Sequence, residues 1–240
     1  LQIGNGRAIK IITNKTVVYD FRSQDVLMGG NGAPLVPIGD ELLFSEFDAC
    51  LNLGGFSNIS LKKNEERIAF DISPVNVVLN FFAEKLGKNY DENGDFAKNG
   101  NINLAILEQL NALNFYKKQH PKSLGIEFVN AEIFPLLNNE MPENVLATFT
   151  EHIAIQISKV FNENQLKKVL VTGGGAFNAY LIEKLNEKTT SEIIIPDEKI
   201  INFKEALIFA LMGVLRLNNE VNVLCSATGS SANHSSGIIV

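Results

Sequence analysis

The chain has 240 residues, 45% of them hydrophobic, enough to bury a full core as one large domain or two lobes. Its formal net charge is -6, from 21 Lys and Arg against 27 Asp and Glu, with no basic stripe, which argues against nucleic acid as a partner. The 2 cysteines, Cys50 and Cys225, sit in no CxxC or metal-ligand spacing, so a disulfide framework or zinc site has no support and a reducing cytoplasm fits best.

The longest apolar run, Ala206 to Leu217, is too short to span a bilayer, and no charged-then-apolar signal segment opens the chain. No membrane is expected as a partner. The sequence starts at Leu1, and Leu1-Gln2-Ile3-Gly4 reads as the end of a strand entering a turn, so an N-terminal segment is expected to be missing.

In chain order, Arg7 to Ile12 reads as a short helix and Thr16 to Phe21 as a β-branched, aromatic strand ending in Arg22-Ser23-Gln24-Asp25. Gly29 to Pro34 is loop. Strands at Cys50–Leu53, Ile59–Lys62 and Arg67–Phe70 form a meander, turning at Gly54-Gly55 and at Lys63-Asn64-Glu65-Glu66. Val77, Val78, Phe81, Phe82 and Leu86 recur at helical spacing over Asn76–Leu86, and Gly87 stops that helix.

The polar, Asn- and Gly-rich stretch Lys88–Gly100 reads as loop, Asn103–Leu113 as helix, Pro121–Asn130 as irregular, and Glu143 to about Asn162 as a long helix. The last third alternates: strand Lys168–Thr172, glycine turn, helix Ala179–Glu187, strand Glu192–Ile195 and helix Lys204–Leu217. The fold class is therefore α/β, with nucleotide-like geometry in the final third.

Three motifs carry chemistry. Leu51 to Ser60 turns from strand to strand at Gly54-Gly55, where missing Cβ atoms let backbone N–H groups approach a phosphate. Gly173-Gly174-Gly175-Ala176-Phe177-Asn178 joins a strand to a helix and either holds part of a nucleotide or is only a tight turn. Asp71, between Phe70 and Pro74, either projects as a general base or caps the helix starting near Asn76.

Arg22 and Asp25 either orient a substrate or tie down a loop. His120, His152 and His234 lack the i, i+4 spacing of a metal-binding helix, and no GxSxG elbow surrounds Ser57 or Ser73, which disfavours metalloprotease and serine-hydrolase chemistry.

Asp20 to Asp25, Gly32-Ala33-Pro34-Leu35-Val36-Pro37, Leu53 to Asn58, Phe70-Asp71, Gly173 to Asn178 and Lys204-Glu205-Ala206-Leu207 together resemble, in order and spacing, anhydro-N-acetylmuramic acid kinases. The resemblance implies a two-lobed actin-like ATPase (ribonuclease H-like) architecture, with residues 1–75 the remainder of an N-terminal lobe and 76–240 a C-terminal α/β lobe. It also implies ATP and Mg2+ as cofactors, a homodimer, and a role in recycling bacterial cell-wall amino sugar. The implied reaction opens the 1,6-anhydro bond of anhydro-N-acetylmuramic acid with water and phosphorylates O6. Carried over by position, Asp71 matches the acid that activates the water. Gly54, Gly55 and Asn58 match a phosphate-binding turn, and Gly173, Gly174, Gly175 and Asn178 the adenosine-side turn. Arg22, Asp25, Asn76 and Glu205 match substrate or cleft contacts.

Two departures stand out. The family's Phe-Asp-Thr-Gly-Pro-Gly-Asn is here Phe70-Asp71-Ile72-Ser73-Pro74-Val75-Asn76, which replaces two glycines and adds bulk expected beside the cleft. The family's N-terminal Gly-Thr-Ser-x-Asp-Gly turn has no counterpart, so this polypeptide alone is expected to lack full activity. A noncatalytic binding or scaffold protein on the same superfold is the alternative reading. A metal-dependent protein-modifying enzyme is a further one, which the scattered histidines disfavour.

Overall fold

The computed structural model describes residues 4–240, so most of the expected strand end at Leu1 to Gly4 lies outside the described residues. Helix α1 (Gly6–Thr13) starts at Asn5, whose side chain accepts from the Arg7 and Ala8 amides, and is followed by strand β1 (Val18–Tyr19). The strand expected over Thr16–Phe21 is short: Val17 exchanges both backbone hydrogen bonds with Val240 at 3.0 Å, Val18 and Tyr19 continue the pairing, and Asp20, with a left-handed φ of 56°, ends it. Helices α2 (Ser23–Leu27) and α3 (Pro37–Leu43) come next. Pro37 in the first turn of α3 fits a helix start, where a missing N–H costs nothing.

The meander is strand β2 (Ala49–Leu53), β3 (Phe56–Lys63) and β4 (Glu66–Pro74). Asn64 and Glu65 both have positive φ, the paired left-handed geometry that suits a two-residue hairpin. Helix α4 (Asn76–Lys85) stops as expected at Gly87, φ 79°, whose amide reaches back to the Glu84 carbonyl.

The stretch 88–100 is not plain loop. A 3-10 turn (Glu92–Gly94) leads into helix α5 (Asp95–Asn99), because both Asp91 carboxylate oxygens accept backbone amides, from Phe96 at 2.8 Å and Ala97 at 3.0 Å. Helix α6 (Leu104–Ala112) follows. The expected irregular segment becomes helical from Ile126: α7 (Ile126–Phe128), a π-turn (Val129–Ile133) and α8 (Phe134–Leu137). Its apolar residues Val129, Ile133 and Leu137, spaced four apart, are fully buried.

The long helix α9 (Pro142–Glu163), strand β5 (Lys168–Thr172), helix α10 (Ala179–Asn186) and strand β6 (Glu192–Ile194) match expectation closely. Helix α11 (Glu198–Leu217) begins earlier than its apolar stripe, after Asp197 accepts the Ile200 amide. A short helix α12 (Cys225–Thr228) and strand β7 (Ile238–Ile239), paired antiparallel with β1, end the chain.

The chain forms two compact units that interleave in sequence: residues 1–46, 61–69 and 203–240, and residues 47–60 and 70–202. The sequence expectation of 1–75 and 76–240 drew a single boundary. In the first unit, Lys204 on α11 meets Asp40 on α3 at 2.6 Å with both side chains buried, and Arg67 meets Glu41 at 2.7 Å. The core of the second is a sheet of order β4-β3-β2-β5-β6, with β2, β5 and β6 parallel. A meander followed by two parallel strands is the ribonuclease H-like order the resemblance implies. Helix α9 packs against α4, α5, α6 and α10, burying Phe149, Ile153, Ile157 and Phe161.

Candidate active site

Strands β2 and β5 are parallel neighbours, Asn52 opposite Thr172, so both glycine turns leave the same edge of the sheet, at the carboxyl ends of adjacent strands. That is where open α/β sheets hold ligands. The two turns, far apart in sequence, are brought together around one side chain. A Cβ on Gly54 would lie 3.2 Å from Asn52 Nδ2, and one on Gly173 would lie 2.6 Å from Asn52 Oδ1. Gly173 has φ 84° and ψ 166°, a backbone that essentially only glycine adopts. Gly175 packs on Leu53, where a Cβ would come to 2.7 Å of the Leu53 Cβ.

Asn52 was not among the expected site residues. Its one sequence signal was a polar residue inside the apolar run Cys50–Leu53.

Asn76 joins the same cluster. Its Nδ2 donates to the Leu53 carbonyl at 3.3 Å and lies 3.7 Å from where a Gly174 Cβ would sit. The amides of Val75, Asn76 and Val77 donate to the carbonyls of Gly55, Gly54 and Gly55 at 2.9, 3.3 and 3.3 Å, so the turn itself caps α4. Asp71 is therefore not the helix cap; the cap position is Val75, which makes no side-chain cap bond.

Asp71 sits half-buried on β4. Its Oδ2 accepts from the Leu124 amide at 2.7 Å, and its own amide donates to the Lys122 carbonyl at 3.0 Å. Burial raises its carboxyl above the ordinary carboxylate range, against the opposing pull of the Leu124 bond. A carboxyl so shifted is a stronger base once ionised.

The two replaced glycines add no bulk at an exposed surface. Ser73 is fully buried, its amide donating to the Ser57 Oγ at 3.0 Å, and Val75 is fully buried with φ -132°.

Asn58 is exposed on β3, while Asn178 is buried and accepts the Leu181 amide at 3.0 Å, capping α10. Gly174 is exposed at the start of a 3-10 turn (Gly174–Phe177), where the first N–H groups have no partner within the turn and are available to an anion.

Arg22, Asp25 and Glu205 belong to the other unit. Asp25 is fully buried, accepting the Gly32 amide and the Thr228 hydroxyl, both at 2.7 Å, while Arg22 donates to the Gly32 carbonyl. They make no ion pair with each other among the described residues and hold the 25–32 loop. Glu205 is exposed on α11, beside the buried Lys204.

The family profile described as anhydro-N-acetylmuramic acid kinase matches residues 1–240. The chain belongs to the anhydro-N-acetylmuramic acid kinase family. A relative so named from Francisella tularensis subsp. novicida is 34% identical over 97% of this chain and 66% of its own, and one from Haemophilus influenzae is 36% identical over 100% and 69%. A Pseudomonas fluorescens anhydro-N-acetylmuramic acid kinase is 38% identical over 83% of this chain and 56% of its own. The chain thus spans between 56% and 69% of the length of these relatives. Among solved structures, an activator of 2-hydroxyisocaproyl-CoA dehydratase from Clostridium difficile with bound ADPNP aligns at TM-score 0.45 and 18% identity, over 72% of this chain and 62% of that one. No helix of the described residues is long and apolar enough to cross a membrane.

Proposed function

We propose that this chain carries catalytic parts of an ATP-dependent kinase that opens the 1,6-anhydro bond of anhydro-N-acetylmuramic acid and phosphorylates O6, giving N-acetylmuramic acid 6-phosphate. The observation that carries the reading is the convergence of both glycine turns on Asn52 at the carboxyl ends of β2 and β5. Family membership supports it, and nothing observed favours a noncatalytic scaffold.

In this reading Asp71 takes a proton from water as its oxygen bonds to C1. The C1–O6 bond breaks, and O6 takes the γ-phosphoryl group as the bond to ADP breaks. Phosphoryl transfer needs positioning and charge stabilisation more than covalent help. Gly54, Gly55 and Asn58 would serve the phosphates, and Gly173, Gly174 and Gly175 the nucleoside side. Asn178 acts by capping α10 and fixing the end of that turn. Asn76 would meet the substrate beside them. Glu205 is the exposed candidate sugar contact, and Arg22 and Asp25 would act through the loop they hold.

Among the described residues no group of three or more His, Cys, Asp or Glu could hold a metal. Magnesium would therefore come with the nucleotide, held by its phosphates and one or two carboxylates, where it would neutralise phosphate charge; no step above is routed through it. We propose a cytoplasmic homodimer by family analogy.

The test is ADP release with and without 1,6-anhydro-N-acetylmuramic acid, on this chain and on a form extended upstream to the length of its relatives. Sugar-dependent release in the extended form supports the kinase; no release in either form overturns it.

A further inference from the structure

We infer that Gly94 is a positioning residue for the nucleotide-side turn: the left-handed corner at Asn93-Gly94 presses on Asn178 and fixes where the Gly173–Gly175 turn ends. This rests on reading that turn as nucleotide-binding. Gly94 has φ 77°, and a Cβ on it would fall 2.5 Å from Asn178 Oδ1 and 2.6 Å from the Tyr180 Cβ. Asn178 cannot yield freely. Its Oδ1 caps α10 through the Leu181 amide, and its own amide closes the preceding turn on the Gly175 carbonyl at 3.1 Å.

The corner cannot retreat either. Asp91 holds it from one side through the Phe96 and Ala97 amides. On the other side Gly100 is pressed against α9, where a Cβ would come 2.1 Å from the Glu143 carbonyl oxygen, and Ala97 is fully buried. Lys98 meets Glu183 of α10 at 3.7 Å, a second link between the same elements. An added methyl at Gly94 must therefore be absorbed by Asn178 and Tyr180, at the junction of turn and helix. Displacements of this order at a ligand-holding group reduce binding steeply.

A matched control exists in the same unit. Gly87 has φ 79°, yet a Cβ there meets nothing within 4 Å. Gly87→Ala puts a side chain at nearly the same left-handed φ as Gly94→Ala, 79° against 77°, without the collision. ATP affinity by isothermal titration and hydrogen exchange of the Leu181 amide would be measured on wild type and both variants. The expected result is about tenfold or greater weakening of ATP binding in Gly94→Ala relative to Gly87→Ala, with faster Leu181 exchange. Equal affinity and equal exchange in the two variants would overturn the inference. The affinities are read in the form extended to the length of its relatives; if that form binds no ATP without substitution, the nucleotide reading of the turn fails, and Leu181 exchange alone decides whether Gly94 holds Asn178. Should the methyl prevent folding, Asp91→Asn loosens the same corner without adding atoms and must speed Leu181 exchange for the inference to stand.

Discussion

Gly173 and Asn52 lie so close that a Cβ on Gly173 would stand 2.6 Å from the Asn52 Oδ1 and 2.8 Å from the Leu53 carbonyl carbon. Space and backbone angle together demand glycine there, whereas Gly174 has only ordinary contact with Asn76 Nδ2 at 3.7 Å. Gly173→Ala is expected to cost about 2 to 4 kcal/mol, from left-handed strain plus overpacking. Gly174→Ala should stay within about 0.5 kcal/mol. Urea midpoints of the two variants check this, and equal midpoints would contradict it.

What was legible in the sequence was what local chemistry decides. Strand Lys168–Thr172 and its glycine turn, the three-strand meander and helix α9 all follow from β-branched runs, turn residues and helical spacing. What was not legible depends on distant partners. Residues 88–100 look like loop until the Asp91 carboxylate gathers two amides, and Asn52 looks incidental until β5 is laid beside β2. Asp25 has the composition of a ligand contact, but its role is set by Thr228, far along the chain. The Ser57–Ser73 pair shows the same limit, since the burial of Ser73 against Ser57 of the Gly54–Asn58 motif becomes visible only when β4 is laid beside β3.

Asp71→Asn in the extended protein should keep ATP binding and lose turnover by about 10²- to 10⁴-fold, the usual worth of a positioned base. In wild type, kcat/KM should rise with pH as Asp71 loses its proton, and burial moves that limb above the ordinary carboxylate range. The limb should be absent from the residual rate of the variant. The stability sign runs the other way: a carboxyl with a raised folded-state pKa favours folding at low pH, and that contribution is lost as pH rises through the shifted value. At neutral pH Asp71→Asn, whose side-chain oxygen can still accept from Leu124, should be at least as stable as wild type. A rate like that of wild type would sink the assigned role.

His152 is fully buried on α9, with Nδ1 2.7 Å from Asn111 Oδ1 and Nε2 2.9 Å from the Tyr116 hydroxyl. Gln156 also donates to Asn111 Oδ1, at 2.8 Å, so that oxygen is the acceptor and His152 is neutral, with its proton on Nδ1 and Tyr116 donating to Nε2. Burial lowers its pKa to about 3. The unfolded chain takes up this proton near the ordinary histidine value, so stability should fall as pH drops from there toward the folded value, by up to about 1.4 kcal/mol per pH unit. His152→Gln should be less stable at pH 7 and show a shallower acid slope in urea titrations. An unchanged slope would mean that His152 is not the source.

The buried pair Lys204–Asp40 tests how α3 and α11 are held. Lys204 Nζ lies 2.6 Å from Asp40 Oδ1 and 5.4 Å from the centre of the Phe44 ring, and both charged side chains are nearly inaccessible. Removing one charge strands the other in a medium that solvates it poorly, at a typical cost of about 3 to 5 kcal/mol, whereas removing both leaves no stranded ion. Lys204→Met is therefore expected to lower the urea midpoint sharply, and Lys204→Met combined with Asp40→Leu to recover most of the loss, since both side chains are already buried and the Lys204 head lies by the Phe44 ring. The double-mutant cycle gives the coupling directly. If the two losses simply add, the pair is not the tie between α3 and α11, and the close fit of Gly39 against Ile208, where a Cβ would meet the Ile208 side chain at 2.3 Å, becomes the stronger explanation for how those helices dock.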